Sequence, residues 1–342
     1  MESSSPSDSS IYCEKDVPKT VNSWKKYHLE SIGIFYDDKV STISDITTLL
    51  KGQIAPKSRE IYCKLPDIMQ IIIEFTKQLL QFSYKSQYIE LYLAEEVSSI
   101  FSKFESSVDK FKLKDTNGFL ENKSNDRVFR RWTTYTADFL LYLRVFIARL
   151  QNVSYSCDMT ARKGCFTQLF MSFMNMFLLR AEIGDAYKGE ITVKGRRISG
   201  IPDVRFPCFS AYNKTIQVVT VAEVKHKSSF CKSGKNCSFS VHDLSDAVLG
   251  QHGAQLLIER KNSYFKPAVS GIICIGTCFY LLNIEEEKYV SLQDKVIENR
   301  KPSKILYTRP YNFLNAADRC EILELCFWLG YLQLNAYKEM EL

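Results

Sequence analysis

The sequence predicts an α+β or α/β protein in which a mainly α-helical N-terminal region precedes a part where helices and strands alternate. Up to residue 153, apolar residues recur at helical spacing. Two β-like runs, 201–209 and 216–225, then lie on either side of a polar break, and helical patterns flank this pair. The 342 residues, of which 45% are hydrophobic and 25% charged, suit a globular chain of about two domains.

Composition also restricts the compartment and the partners that we expect. The net charge of +6 permits a polyanionic partner without requiring one. The 11 cysteines, an odd number spread from Cys13 to Cys326, match no compact disulfide framework and favour a reducing compartment. The polar N-terminus lacks the apolar segment of a secretory signal, and no apolar run is long enough to span a bilayer. We therefore expect an intracellular protein of the nucleus or cytoplasm with no membrane partner, and its oligomeric state stays open.

The N-terminal half divides into a tail and a helical domain. Residues 1–20 are Ser-rich and charged without periodicity, which predicts a disordered tail. Residues 21–153 predict a helical domain that packs and positions, since they contain no catalytic pattern. Its first helix is short, ends near residue 50 and has Ser41 or Ser44 as its expected N-cap. Longer helices are expected at 67–82, 86–111 and 126–153.

A second domain is predicted over residues 160–342, with elements in the order α-β-β-β-α-β and a further helix at the end. Lys194 and Gly195 indicate a turn or a bulge within the first strand. The run at 269–284 is long and apolar, which is typical of a buried strand followed by an edge segment. The predicted elements are a helix at 165–180, strands at 190–198, 201–209 and 216–225, a helix at 243–260, the 269–284 run and a helix at 315–337.

The two runs around the polar break predict a β-hairpin that brings two carboxylates together. Asp203 and Glu223 are equally far from Asn213, so a regular antiparallel hairpin centred there would place them opposite each other. Directly opposed side chains have Cβ atoms about 5 Å apart. Two carboxylates at that distance repel each other unless a cation lies between them, and Mg²⁺ prefers such oxygen ligands. Asp203 and Glu223 are therefore candidate metal ligands.

Lys225 completes this candidate site. Glu223 and Lys225 are two apart on one strand and share a face, so the ammonium group would lie beside the metal. There it can orient or deprotonate the attacking water, or stabilise negative charge on a phosphate. The backbone carbonyl of Val224 is a further candidate ligand. The alternative is a plain salt bridge between Glu223 and Lys225 at a strand end, which an isolated Glu-x-Lys favours.

Two glutamines extend the candidate site onto the next predicted helix. Gln251 and Gln255 lie one turn apart within the apolar stripe that should face the sheet. Buried amides need hydrogen-bond partners, which a phosphate, a metal-bound water or Lys225 would supply. The alternative is a half-exposed helix in which the glutamines bond to each other. Gly250 and Gly253 weaken the helix by about 1 kcal/mol each relative to Ala, which indicates close backbone approach.

The chain resembles the PD-(D/E)XK nuclease superfamily in three places: Gly200-Ile201-Pro202-Asp203, then Ala222-Glu223-Val224-Lys225, then Gln251 with Gln255. The resemblance covers residues 160–285 and implies a restriction-endonuclease-like core, with a mixed central sheet flanked by helices. It also implies hydrolysis of phosphodiester bonds with Mg²⁺ or Mn²⁺, and a catalytic core of Asp203, Glu223 and Lys225. One of the two glutamines would match the RecB-like branch. Similar domains occur in Crinkler-type effectors and mobile-element proteins.

One departure concerns the first helix of this core, where many members of the superfamily carry an additional acidic metal ligand. This chain offers only Gln168 inside the predicted helix and Glu182 at its end, so occupancy beyond one metal ion stays open. We expect a nuclease that acts on DNA rather than RNA. The alternative is a nuclease fold without catalysis that binds nucleic acid or a protein partner, and accidental matches on a helical scaffold are the third reading.

Two further groups of residues, one of cysteine and histidine and one of arginine and tryptophan, have both a functional and a simpler structural interpretation. Cys231, Cys237 and His242 form C-x5-C-x4-H, which supplies three zinc ligands but lacks a fourth and has no standard spacing. A flexible basic loop that binds phosphates is the preferred interpretation. The Arg-Arg pair before Trp132 could stack on a nucleic-acid strand, but a basic helix face with a buried Trp is the commoner arrangement.

Overall fold

The computed structural model describes residues 17–54, 59, 62–82, 93–113, 118–153, 163–184, 187–210, 215–225, 244–284 and 303–338. Over these residues the chain has an α+β fold with a mixed eight-stranded sheet, a separate two-stranded hairpin and eight α-helices. The helices are α1 (Lys26–Glu30), α2 (Ile43–Gly52), α3 (Asp67–Leu79), α4 (Leu93–Leu113), α5 (Lys123–Val153), α6 (Lys163–Met176), α7 (Asp246–Glu259) and α8 (Ala316–Lys338). The strands are β1 (Ile34–Ser41), β2 (Glu182–Ile183), β3 (Gly189–Val193), β4 (Arg196–Gly200), β5 (Val204–Ser210), β6 (Thr215–Lys225), β7 (Val269–Ile275), β8 (Cys278–Ile284), β9 (Ser303–Thr308) and β10 (Tyr311–Asn312).

The main sheet has the strand order β1-β9-β8-β7-β6-β5-β2, and β10 pairs with β8. Strands β6 and β7 run parallel, as do β1 and β9, and the remaining neighbours are antiparallel. A parallel pair needs a crossover connection, and α7 lies in the one between β6 and β7. The carboxyl ends of β6 and β7 therefore lie at the same edge of the sheet.

Two hydrophobic clusters cover the two faces of the sheet. Successive side chains of a strand point to opposite faces, so neighbouring residues enter different clusters. On β6, Val224 packs into the cluster that α3, α5, α6 and α8 form, whereas Val221 packs into the cluster that α1 and α7 form. The fold thus has three layers, and the alternation directs Glu223 and Lys225 toward α7.

Helices on both sides of the predicted domain boundary contribute to one hydrophobic cluster. The rings of Phe139 in α5 and Phe173 in α6 lie 5.5 Å apart, edge to face. Buried Arg319 of α8 donates hydrogen bonds to the carbonyl oxygens of Leu80 and Phe82, just after α3. The expected boundary between residues 153 and 160 falls in a segment outside the described residues.

The N-terminal strand of the sheet comes from the region expected to be helical. Strand β1 pairs in parallel with β9, and neither strand was expected from the sequence. Residues 1–16 of the expected tail lie outside the described ranges, but Val17 is buried and Thr20 bridges to Ser199. The N-cap of α2 is Thr42, whose hydroxyl accepts the Asp45 N–H, so the expectation of Ser41 or Ser44 is wrong. Thr42 is the N-cap because it forms a capping box, in which the Asp45 carboxylate accepts the Thr42 N–H in return.

Two segments that were each expected to contain one strand form two paired strands instead. The strand expected at 190–198 is the hairpin β3–β4, which stays outside the main sheet, with its turn at Lys194 and Gly195 as expected. The 269–284 run is β7 and β8, which pair antiparallel and meet at Gly276 with a φ of 58°. The expected edge segment is wrong: β8 is an interior strand, because β9 arrives from later in the chain and pairs with it.

Most aromatic residues of α5 face the core, whereas Tyr142 is exposed. Trp132 is fully buried, with ring centroids 5.5 Å from Phe75 and 5.9 Å from Phe104. Arg130, by contrast, is on the surface and pairs with Asp126 one turn earlier. The simpler explanation of this segment, a basic helix face with a buried Trp, is confirmed. Among the described helices, none combines the length and apolar character that crossing a membrane requires.

Candidate active site at the ends of β5 and β6

The register of β5 and β6 brings Asp203 and Glu223 together. Val204 pairs with Ala222, so the residues one step further, Asp203 and Glu223, flank the same end of the ladder. This register is the one that the sequence predicts. Nearer the turn the pairing shifts by one residue between Phe206 and Pro207. A bulge of this kind suits Pro207, which has no N–H to donate to the ladder.

The bulge decides which face of the sheet carries the site. A one-residue shift moves every following side chain of the strand to the other face. Val219 packs on the face that carries α6, whereas Val221 packs on the α7 face, because the ladder skips one residue at Val219. Glu223 and Lys225 therefore point toward α7. The turn itself, residues 211–214 with Asn213, lies outside the described part of the chain.

Asp203 is held by a backbone amide and a lysine. Its Oδ2 accepts the Val224 N–H at 2.8 Å, which ties it to the neighbouring strand. Its Oδ1 lies 2.6 Å from the Nζ of Lys163, the first residue of α6. The side chain is 21% exposed, so one edge of this carboxylate faces solvent.

Glu223 is the buried centre of the cluster, with a side chain that is 0% exposed. Its Oε1 lies 2.5 Å from Lys225 Nζ and accepts a 2.9 Å hydrogen bond from Gln251 Nε2. Its Oε2 accepts a 2.6 Å hydrogen bond from Gln255 Nε2. Burial raises the pKa of Glu223 to about 7, with help from Asp203 and against the opposing effect of Lys225.

The two glutamines of α7 bond to the site and not to each other. Gln251 Oε1 accepts a 2.8 Å hydrogen bond from Lys225 Nζ, so this amide bridges Lys225 and Glu223. The alternative of a half-exposed helix is therefore wrong for Gln255, which is fully buried. The strand-end salt bridge between Glu223 and Lys225 exists, but it is one contact of a larger network.

Close packing of α7 against α1 explains its glycines. A Cβ on Gly250 would lie 2.2 to 2.5 Å from the backbone of Lys25. A Cβ on Gly253 would lie 2.3 Å from Leu29 Cδ1. The expected close backbone approach is confirmed. It also brings the segment before α1 to the site, where Asn22 Oδ1 accepts a 3.0 Å hydrogen bond from Gln251 Nε2.

Sequence reasoning missed Lys163 and Asn22. Lys163 is the first residue of the helix in which many members of the resembled superfamily carry an acidic ligand, and the sequence analysis assigned no role to a lysine there. Asn22 had no local signal, because its contact to Gln251 joins residues 229 positions apart. The other residues considered in the first helix are elsewhere: Gln168 donates to the Tyr142 hydroxyl at 3.0 Å, and Glu182 is exposed on β2.

The donor set suits a hard divalent cation. Within the described ranges there is no group of three or more His, Cys, Asp or Glu side chains that could hold a metal. Mg²⁺, however, commonly uses one or two carboxylates and completes its shell with water and substrate oxygens. Asp203 Oδ1 and Glu223 Oε1 already face one cation, the ammonium of Lys163, at 2.6 and 3.8 Å. The role of the Val224 carbonyl as a ligand stays a prediction.

His252 follows Gln251 on α7 and is fully buried. A Cβ on Gly271 of β7 would lie 2.6 Å from His252 Nε2, so the imidazole occupies the space that this glycine leaves. Burial lowers the pKa of His252 to about 3, against an opposing hydrogen-bond effect of Gln255. The imidazole is therefore neutral near pH 7 and packs against β7.

No protein-family model, no curated protein and no solved structure matches the chain. The segment with Cys231, Cys237 and His242, interpreted as a basic loop that binds phosphates, lies outside the described residues.

Proposed function

We propose that the chain is a divalent-metal-dependent nuclease with a restriction-endonuclease-like core, and that it hydrolyses phosphodiester bonds of DNA rather than RNA. The observation that carries the proposal is the convergence of Asp203, Lys225 and both glutamines on buried Glu223. The order of elements supports it, since α6 precedes β5 and β6, and α7 then connects β6 to the parallel strand β7.

Each residue of the site has a chemical role in this proposal. Asp203, Glu223 and the Val224 carbonyl would hold Mg²⁺ or Mn²⁺. Such an ion, when bound, polarises the phosphodiester and lowers the pKa of a coordinated water. Lys225 donates to the attacking water or to a phosphate oxygen, and Gln251 positions its ammonium group through the 2.8 Å hydrogen bond. Gln255 holds the Glu223 carboxylate in one orientation.

A second candidate is a nuclease fold that binds nucleic acid or a protein partner without cleaving. The observation that favours it is Lys163, which contacts both carboxylates from the first residue of α6, the helix in which many members of the superfamily carry an acidic ligand. A cationic group near two carboxylates offsets their mutual repulsion, so they can stay close together without a metal.

The decisive experiment measures cleavage by the full chain. Plasmid DNA, single-stranded DNA and RNA are incubated with Mg²⁺ or Mn²⁺ and wild type, Asp203→Asn or Lys225→Met. We expect the wild type to cleave DNA and EDTA to stop it. Each substitution should reduce the rate by about 100-fold or more, because Asp203→Asn removes a charged metal ligand and Lys225→Met removes charge stabilisation at the reacting group.

Glu182→Gln and Lys188→Met are the matched controls, since both residues are exposed and neither contacts the site. Both controls should cleave at the wild-type rate. Unchanged cleavage by Asp203→Asn and Lys225→Met would contradict the site assignment. DNA binding by the wild type without cleavage would favour the second candidate.

A further inference from the structure

The ammonium group of Lys163 lies where the two carboxylates would share a divalent cation. Its Nζ is 2.6 Å from Asp203 Oδ1 and 3.8 Å from Glu223 Oε1. The other oxygen of each carboxylate is engaged elsewhere, because Asp203 Oδ2 accepts the Val224 N–H and Glu223 Oε2 accepts from Gln255. A cation entering the site would therefore meet the same two oxygens that Lys163 contacts, of which Glu223 Oε1 also contacts Lys225 and Gln251.

Charge balance makes this contact a competition. When both carboxylates are ionised, Asp203 and Glu223 carry two negative charges, which the two positive charges of Lys163 and Lys225 balance. A divalent ion adds two positive charges at the same place, and like charges a few ångströms apart repel strongly where the surroundings are partly buried. One lysine must leave the carboxylates for the ion to bind well.

Lys163 is the lysine that can leave. Its side chain is 46% exposed, whereas that of Lys225 is 20% exposed and also donates to Gln251. Lys163 is the first residue of α6, and its ammonium group ends a flexible four-carbon stem. Because nearly half of this side chain is already exposed, the ammonium group can turn into solvent without breaking core packing.

We propose that Lys163 is a built-in cation that holds Asp203 and Glu223 in place, and that a divalent metal ion binds by displacing its ammonium group. The proposal rests on the proposed function, because it takes these two carboxylates as the metal ligands. It makes Lys163 a positioning residue that sets the metal affinity of the site. It also explains how two carboxylates remain close together in the absence of a metal.

The test measures metal binding without any substrate. Isothermal titration with Mn²⁺ is carried out on the full-length wild type, Lys163→Met, Lys163→Arg and the exposed-lysine control Lys188→Met. We expect Lys163→Met to bind Mn²⁺ about tenfold or more tightly than the wild type, since a charge-assisted contact no longer has to be broken. Lys163→Arg keeps the competing charge, and Lys188→Met leaves the site intact, so both should bind like the wild type.

The Asp203→Asn variant distinguishes a failure of the proposed role of Lys163 from a failure of the proposed metal site. Equal affinities of the wild type and Lys163→Met, with binding lost in Asp203→Asn, would overturn the role of Lys163 and leave the proposed metal site standing. Absence of Mn²⁺ binding in every variant, or binding that persists in Asp203→Asn, would overturn the metal site itself. Melting curves on the same samples establish that each variant is folded, and Lys163→Gln replaces Lys163→Met if the latter is not.

Discussion

Glu223 and Glu259 are both buried carboxylates on the α7 side of the sheet, but their surroundings differ. Glu259 forms an ion pair with Arg205 at 2.9 Å, and both side chains are closed off from solvent. The Arg205 guanidinium also stacks on the Tyr187 ring at 3.5 Å. Glu223 instead lies next to the partly exposed Asp203 and shares its charge among several donors. The first arrangement is a closed structural pair, and the second leaves an open edge at which a ligand can enter.

The buried imidazole of His252 predicts a pH dependence of stability. Its pKa is lowered from 6.5 to about 3 in the folded state. Between these values the unfolded chain binds a proton that the folded chain does not, so acidification lowers the free energy of unfolding. Between pH 7 and pH 5 the wild type should lose about 2 kcal/mol more than His252→Asn, as measured by urea unfolding. Parallel pH profiles for the two proteins would contradict the assignment.

At the scale of elements, α7 serves packing and chemistry at the same time. One side carries Gln251 and Gln255 toward the ends of the strands, and another carries Gly250 and Gly253 against α1. A helix with two interior glycines is intrinsically weak, by about 1 kcal/mol for each. Tertiary packing therefore stabilises α7, and the same packing delivers Asn22 to the site.

Gly250→Ala tests this packing. Helix propensity favours Ala, but its Cβ would lie 2.2 to 2.5 Å from the Lys25 backbone, which cannot move as a side-chain end can. Overpacking should win and lower the free energy of unfolding by about 1–3 kcal/mol. The control is Gly52→Ala at the end of α2, where no atom lies within 4 Å and little change is expected. A Gly250→Ala protein as stable as the wild type would show that α1 does not lie against α7.

At the scale of the whole molecule, the sheet and both faces depend on the N-terminal region. Strand β1 extends the sheet beyond β9, and α3 and α5 cover the face that α6 and α8 also cover. Trp328 of α8 donates a 2.6 Å hydrogen bond to the Tyr62 carbonyl, and Arg319 bonds to the chain after α3. These contacts join segments that the sequence assigns to two domains.

The isolated fragment 160–342 should therefore not fold cooperatively, because it would expose the apolar surface that α3 and α5 cover. Thermal unfolding followed by circular dichroism measures this. Fragment 17–342 is the matched control and should unfold like the full chain. Co-expression of residues 1–153 with 160–342 should give a complex that co-purifies. A cooperative transition of 160–342 at the temperature of the full chain would instead establish an independent domain.

Much of the candidate site could be predicted because its spacing is local. Asp203 directly precedes β5 and Glu223 lies on β6 of the same hairpin, so the turn and the alternation of side chains bring them together. The predicted register is correct at the site, although the prediction assumed a regular hairpin without a bulge. A regular hairpin continued from the observed pairing of Ser210 with Thr215 would be one residue out, and the bulge near Pro207 restores the alignment.

The sequence by itself determined most helices, the β5–β6 hairpin and the grouping of Asp203, Glu223, Lys225, Gln251 and Gln255. Periodicity and turn chemistry act over a few residues and can be seen in a single segment. Only the tertiary structure decided that β1 and β9 join the sheet, that β3 and β4 do not, and that Lys163 and Asn22 reach the site. These outcomes depend on which distant segments bury their apolar faces against each other, and the pattern within one segment does not determine its distant partner.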